Sequence, residues 1–335
     1  MYKDIKITPI LESIKLLDIS DEEYFSIKYR DYISNSKLKY INPDEGGSPE
    51  LFNSPMPFSI SDSFYIGSAI HELFLQPEEF ELIETVDRPT AKAGFMADEL
   101  YYPYKNNNNT LTKDDYITAS NKVNYYKNTL NADKISALED KILPYFKQRI
   151  EYDKSPSNKE PIFLDPKSRD KVKRCLTNLN TEEVLNVIRP EGLFDKPKSY
   201  NEAVILLDVK CSLGDKDITL KLKAKLDNFV IDNESNIITL NDLKTSGHYV
   251  SQFKEKSFIK YHYYRQCGMY GWMLSLLNKQ LFKLHNPKFL TNIIIISTIP
   301  DHETMIMPVT GKMVSKGVRE FSNLLKRVAY MKLNE

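Results

Sequence analysis

The stretch "TLNDLKTSG" occupies residues 239–247, directly behind Asn236, Ile237 and Ile238. The apolar run reads as a short buried strand, and Thr-Ser-Gly reads as its end. Side chains alternate along a strand, so Asp242 and Lys244 leave it on one face, with Leu243 between them on the other. An acid and a lysine at the tip of a buried strand are costly to place unless something there uses their charge.

Reading outward, "DITLKLKAKLDNFVID" (217–232) alternates through Ile218, Leu220 and Leu222, then continues to Leu226 and Phe229. "DNESN" (232–236) joins it to the next strand with hairpin turn chemistry. "NEAVILLDVKC" (201–211) is a strand before them. Downstream, the spacing predicts a helix over 251–278 carrying Phe258, Tyr261, Tyr264, Gln266 and Tyr270. "FLTNIIIISTIP" (289–300) is a buried strand, "HETMIMPVT" (302–310) its hairpin partner, and 310–333 a closing helix. The order β-β-β-α-β-β-α predicts an α/β (α+β) fold, a mixed central sheet with helices on its faces.

Upstream, "SDSFYIGSAIHELFLQPEEFEL" (61–82) opens a helix capped by Ser61 or Ser63, with His71 in its middle and Pro77 ending it. Residues 1–60 read as short helices and loops, 84–135 as polar and irregular, and 119–150 and 168–190 as amphipathic helices. "EYDKSPSNKEPIFLDP" (151–166) is a linker, or a segment ordered by a partner. The expected organisation is an N-terminal helical and loop segment, 1–60, and one domain, 61–335. Within that domain 61–82 gives the histidine helix, 85–200 a largely helical insertion and 200–335 the sheet core.

With 335 residues, 41% of them apolar, the chain has ample material for a core. Lys plus Arg and Asp plus Glu both number 46, so nucleic-acid binding would rest on local patches. Only 11 glycines occur, with no phosphate-loop or dinucleotide fingerprint. Three dispersed cysteines, Cys175, Cys211 and Cys267, argue against an iron–sulfur cluster, a structural zinc and a disulfide framework, and for a reducing cytoplasm. No apolar run is long enough for a membrane span, and the N-terminus lacks a signal-peptide core.

The chemistry gathers at two carboxylates. Asp227 and Asp242 end two strands joined by a turn, which can set them side by side. Adjacent carboxylates resist joint ionisation unless a cation offsets their charge. Hard oxygen ligands suit Mg²⁺, with Mn²⁺ as substitute, and the Leu243 carbonyl can be a third oxygen. Lys244 then faces the same phosphate as the metal. Taken singly, each piece has a plainer reading: a strand-end salt bridge, a satisfied histidine, a core helix with aromatics at helical spacing.

The ordered set is more specific. Gly67, Ala69, His71, Leu75, Pro77 and Phe80 form G-x-A-x-H-x-x-x-L-x-P-x-x-F. Lys225 and Asp227 form K-x-D, D-L-K-T-S follows at 242–246, and Gln266 and Tyr270 form Q-x-x-x-Y. This resembles the PD-(D/E)xK nuclease superfamily, in its RecB-like branch, and is most similar to the phage and prophage exodeoxyribonuclease VIII (RecE-like) proteins. The resemblance covers roughly 30–80 and 200–300 and only loosely 85–200. Here Asp227 stands without a preceding proline.

The resemblance implies that Asp227, Asp242 and the Leu243 carbonyl hold the metal, with His71 as a further ligand and Lys244 as the catalytic lysine. Gln266 and Tyr270 would organise the site and touch the substrate strand, and Glu202 would support it from the preceding strand. Thr245 and Ser246 either bind a phosphate or cap the turn. Arg265 and Lys260 either contact phosphate or lie on a solvated face, and His248 and His262 are surface or DNA-side residues.

The activity implied is a Mg²⁺-dependent exonuclease on linear double-stranded DNA, 5′ to 3′, leaving 3′ tails for recombination. A ring-shaped homo-oligomer, a single-strand annealing protein as partner, and a bacterial host cytoplasm complete the expectation. Rival readings are a single-strand nuclease like those of CRISPR adaptation, a non-catalytic DNA-binding protein of the same fold, and a restriction-type endonuclease.

Overall fold

A computed structural model of the chain describes residues 2–55, 61–126, 129–192 and 196–334. From the N-terminus come strand β1 (Lys6–Leu17), the short helices α1 (Asp21–Phe25), α2 (Asn35–Leu38) and α3 (Pro49–Asn53), and helix α4 (Asp62–Leu75). Strand β2 (Phe80–Ile83) leads to helices α5 (Ala91–Asn106), α6 (Lys113–Lys122) and α7 (Ala132–Tyr152), then strand β3 (Glu160–Phe163). Helices α8 (Pro166–Leu179) and α9 (Glu182–Ile188) precede strands β4 (Lys198–Leu213), β5 (Lys216–Asp232) and β6 (Ile237–Ser246). Helix α10 (Tyr263–Leu277), strands β7 (Lys288–Ser297) and β8 (Thr304–Pro308) and helix α11 (Gly311–Leu333) close the chain. Among the described residues no helix is long and apolar enough to cross a membrane.

The chain divides into two compact units, residues 1–58 with 178–335, and residues 59–177. The first unit holds a six-stranded sheet in the order β1-β4-β5-β6-β7-β8. Neighbours are antiparallel except β6 and β7, which run parallel across the α10 connection. The mixed sheet flanked by helices expected from the sequence is the architecture found, including the hairpin of β7 with β8.

One face of the sheet packs on α10 and α11. Phe321, Leu324, Leu325, Val328 and Ala329 recur at helical spacing on α11 and are buried against Phe229, Leu240, Met269 and Met273. The two helices approach through glycines. A Cβ at Gly317 would lie 1.8 Å from the Tyr264 carbonyl oxygen, and one at Gly268 would lie 2.4 Å from the Gly317 backbone.

The second unit has its own core, in which α5, α6 and α7 bury Met96, Leu100, Tyr101, Tyr116, Ile142 and Phe146. Its strands β2 and β3 pair in parallel. Arg88 donates two hydrogen bonds to Asp98, at 3.0 and 2.8 Å, and Thr112 and Asp115 cap α6 reciprocally.

Four expectations are corrected. Residues 1–60 are not only short helices and loops, because β1 forms the edge of the sheet. Its register on β4 shifts between Ile10 and Lys15, where Ser13 accepts from the Asp208 backbone N–H at 2.8 Å. That bulge reverses the alternation of apolar residues, which hides the strand from a period-two reading. Residues 84–135 hold two helices, α5 and α6, and the start of α7. The helix expected over 168–190 is broken into α8 and α9 at the Thr181 cap. Lastly, α10 starts only at Tyr263, and Lys254–Ile259 ahead of it winds more widely than an α-helix.

Candidate active site

Where β5 and β6 part, the sheet turns from packing to chemistry. Their backbone ladder runs from Asp232 opposite Ile237 to Asn228 opposite Asn241. At the next position Asp227 and Asp242 face one another in the same register. There the Asp227 Oδ2 accepts from the Leu243 N–H at 2.7 Å, which satisfies a donor the ladder has released. On its other side β6 stays paired with β7 through Ser246, so Asp242, Leu243 and Lys244 sit on a rigid strand.

Three oxygens converge on the Lys244 ammonium. It lies 2.6 Å from Asp242 Oδ2 and 3.8 Å from Asp227 Oδ2, and it donates to the Leu243 carbonyl at 3.3 Å. Its side chain is 16% exposed, and that of Asp242 only 4%. Burial alone pulls this ammonium down, but the Asp242 and Asp227 carboxylates outweigh it and hold Lys244 above the ordinary lysine range. Two carboxylates and a carbonyl form a donor set suited to a hard divalent cation, and the residues therefore fit Mg²⁺ or Mn²⁺.

Helix α10 holds the other oxygen of Asp242. Gln266 donates from Nε2 to Asp242 Oδ1 at 2.7 Å. One turn on, Tyr270 packs against the core beside both acids; burial, then the charges around it, keep its phenol protonated well above the usual range. Glu202 stands opposite Asp227 in the β4–β5 register, and oxygens of the two carboxylates come within 4.8 Å of one another. Its backbone is left-handed, with φ 49°, and Lys225 bridges its Oε2 at 2.7 Å to the Asp21 carboxylate. So Asp227, Asp242, Leu243, Lys244, Gln266, Tyr270 and Glu202 are gathered in one unit. His71 is half-buried on α4 in the other unit.

Other expected residues lie elsewhere. Arg265 is neither on a solvated face nor positioned for DNA, because it is 2% exposed. It donates to Glu45, to Glu320 at 3.1 Å and, from Nε, to Asn35 at 3.0 Å. His262 belongs to the same cluster, with Nδ1 2.7 Å from Glu320. Ser246 caps the turn, accepting from the His248 N–H at 3.1 Å, and Thr245 is half-buried beside it. Lys260 and His248 are exposed.

Two features escaped the sequence. Tyr263 lies under Lys244, with the ammonium 5.4 Å from its ring centre. On the opposite face, an asparagine ladder crosses four strands. Asn228 donates to Asn201 at 2.7 Å, Asn241 to Asn228 at 2.7 Å, and Asn292 to Asn241 at 3.0 Å. The same amides cap α9, donating to the Val187 and Ile188 carbonyls. A slip of one residue would break every rung, so the ladder pins the register that sets Asp227 opposite Asp242. Scattered asparagines give no such signal until the pairing is known.

No protein-family model and no curated protein matches the chain. A solved structure named "Putative exonuclease", from Eubacterium rectale, is similar over 94% of this chain and 87% of that chain, with a TM-score of 0.47 and 12% identity.

Proposed function

We propose that the chain is a metal-dependent deoxyribonuclease, an exonuclease hydrolysing linear double-stranded DNA from 5′ to 3′ and leaving 3′ single-stranded tails for recombination. The observation that carries this reading is the Lys244 ammonium held among Asp242, Asp227 and the Leu243 carbonyl at the tip of β6. Asp227, Asp242 and the Leu243 carbonyl would hold Mg²⁺ or Mn²⁺, and His71 is assigned as a further ligand from the sequence resemblance. When bound, such an ion polarises water and a phosphate oxygen and stabilises the leaving oxygen.

The chain's own residues do the rest. Asp227 is fixed by the Leu243 N–H and Asp242 by Gln266, so neither carboxylate must be ordered when substrate arrives. Lys244, held among these groups at the tip of β6, donates to the non-bridging oxygen of the scissile phosphate. Water bonds to phosphorus and gives up a proton to solvent, the bond to the bridging oxygen breaks, and that oxygen takes up a proton from solvent. The same reading proposes a ring-shaped homo-oligomer enclosing DNA and a single-strand annealing protein that receives the tail, in a bacterial cytoplasm.

The test is degradation of linear duplex labelled at the 5′ or the 3′ end, with Mg²⁺ or chelator. The expected result is Mg²⁺-dependent release of the 5′ label as mononucleotide, slowed at least about a hundredfold by Lys244→Ala. His71→Ala should weaken Mn²⁺ binding in calorimetry. No release from either end, with the variant equal to wild type, would leave a protein that binds DNA or acts on single strands.

A further inference from the structure

The segment between β6 and α10 is not used by the hydrolytic site, yet it is built with care. Phe253 and Phe258 are buried in a small core against Ile293 and Ile295 of β7, which fixes the segment to the sheet. Several of its other side chains turn outward. Tyr261 is 50% exposed, Tyr249 48% and Ile259 40%, and Lys254, Lys256 and Lys260 are exposed around the single acid Glu255.

The aromatic groups form a path. The Lys260 ammonium lies 5.3 Å from the Tyr261 ring centre, and the Tyr261 and Tyr263 rings are 6.0 Å apart. Tyr263 stacks on Phe253 at 6.0 Å, with planes 14° apart, and its ring lies 5.4 Å from the Lys244 ammonium. Between the two tyrosines the chain kinks at His262, with φ 54°. A left-handed backbone at a histidine is sparsely populated and persists only where neighbours hold it. Glu320 at 2.7 Å and the Tyr264 hydroxyl at 2.9 Å hold His262 Nδ1.

An exposed aromatic ring, flanked by ammonium groups and leading to a phosphate-directed lysine, matches what unpaired nucleotides need. Their bases stack on rings and their phosphates attract cations. Paired bases inside a duplex offer no such faces, because neighbours on both sides already cover them. We propose that Tyr261, with Lys260 beside it, forms a stacking ledge that takes the unpaired end of one DNA strand and leads it past Tyr263 to Lys244. This rests on the nuclease reading and adds to it that the strand to be cut arrives separated from its complement.

The test uses the full chain in chelator, so that no strand is cut, and a ten-nucleotide single-stranded DNA carrying 2-aminopurine at its 5′ end. Wild type should quench the 2-aminopurine. Tyr261→Ala should lose the quenching and bind roughly five- to hundredfold more weakly. Tyr261→Phe should keep both, since the ring does the stacking. Unchanged quenching and affinity in Tyr261→Ala would overturn the ledge, as would loss of both in Tyr261→Phe. Tyr261 is half exposed, and circular dichroism checks that its variants fold. Quenching in wild type without Mg²⁺-dependent hydrolysis of duplex would keep the ledge and reject the nuclease. Hydrolysis at the wild-type rate in Tyr261→Ala, with no quenching in either protein, would do the reverse.

Discussion

Arg265 carries Glu45 and Glu320 on one guanidinium, and neither the acids nor the base is exposed enough to be solvated alone. Arg265→Met should therefore destabilise the protein by about 3–5 kcal/mol, the usual result of breaking a buried pair from one side. Burial by itself raises Glu45; in the wild type Arg265 and Asn42 outweigh it and hold the carboxyl below its ordinary range. A depressed carboxylate contributes stability above its unfolded pKa and loses it as pH falls through the folded value. In Arg265→Met the sign inverts. Burial remains, Glu45 rises, and denaturant titrations should show the variant recovering part of its deficit as pH falls towards the ordinary glutamate value. Lys223 offers a second pH test. Burial, with the Lys37 ammonium nearby, lowers it from 10.5 to about 8, and its Nζ donates to the Tyr24 carbonyl at 2.8 Å. Between those values the unfolded chain binds the proton and the folded chain does not, so stability rises with pH across the window. Lys223→Met should melt higher than wild type below pH 8, and the gap should shrink towards pH 10.5. At this scale the sequence was readable where neighbours are local: the two-residue period puts Asp242 and Lys244 on one face. Arg265 was not, because Glu45 lies 220 residues away along the chain.

Helix α10 carries Gln266, Tyr270 and Gly268 on one rigid rod, so its distance from α11 sets where Gln266 meets Asp242. Gly317→Ala puts a methyl carbon where the Tyr264 carbonyl oxygen stands, and the helices must separate. A cost of about 1–3 kcal/mol follows from overpacking. The expected outcome is a lower melting temperature together with slower DNA hydrolysis, whereas Gly271→Ala, with nothing within 4 Å of its added carbon, should change neither fold nor rate by comparison. Elements were legible where one period runs unbroken, as in α11. They were lost where the period changes within the element, as at the β1 bulge, or where a helix is polar enough to pass for a loop, as in α6. The wide turns at Lys254–Ile259 kept helical spacing in the sequence while departing from α-helical winding.

For the whole molecule, the separate core of residues 59–177 has a direct consequence. Expressed alone, that segment should unfold cooperatively in urea, with helical circular dichroism; a gradual, featureless transition would show that its core is insufficient. The two halves of the sheet unit are thus interrupted by material with a core of its own. β1 pairs with β4, Lys6 opposite Ser212. Synthesis delivers residues at about 5–20 per second, so β4 follows β1 out of the ribosome by on the order of ten to forty seconds. Throughout that interval β1 is an edge without a partner, open to any other extended chain. Early collapse of residues 59–177 shortens the loop that β1 must close, but it cannot supply the missing strand. The time the newborn chain is exposed to misassembly is therefore set by the pace of translation between residues 18 and 197, and not by the strength of the finished sheet.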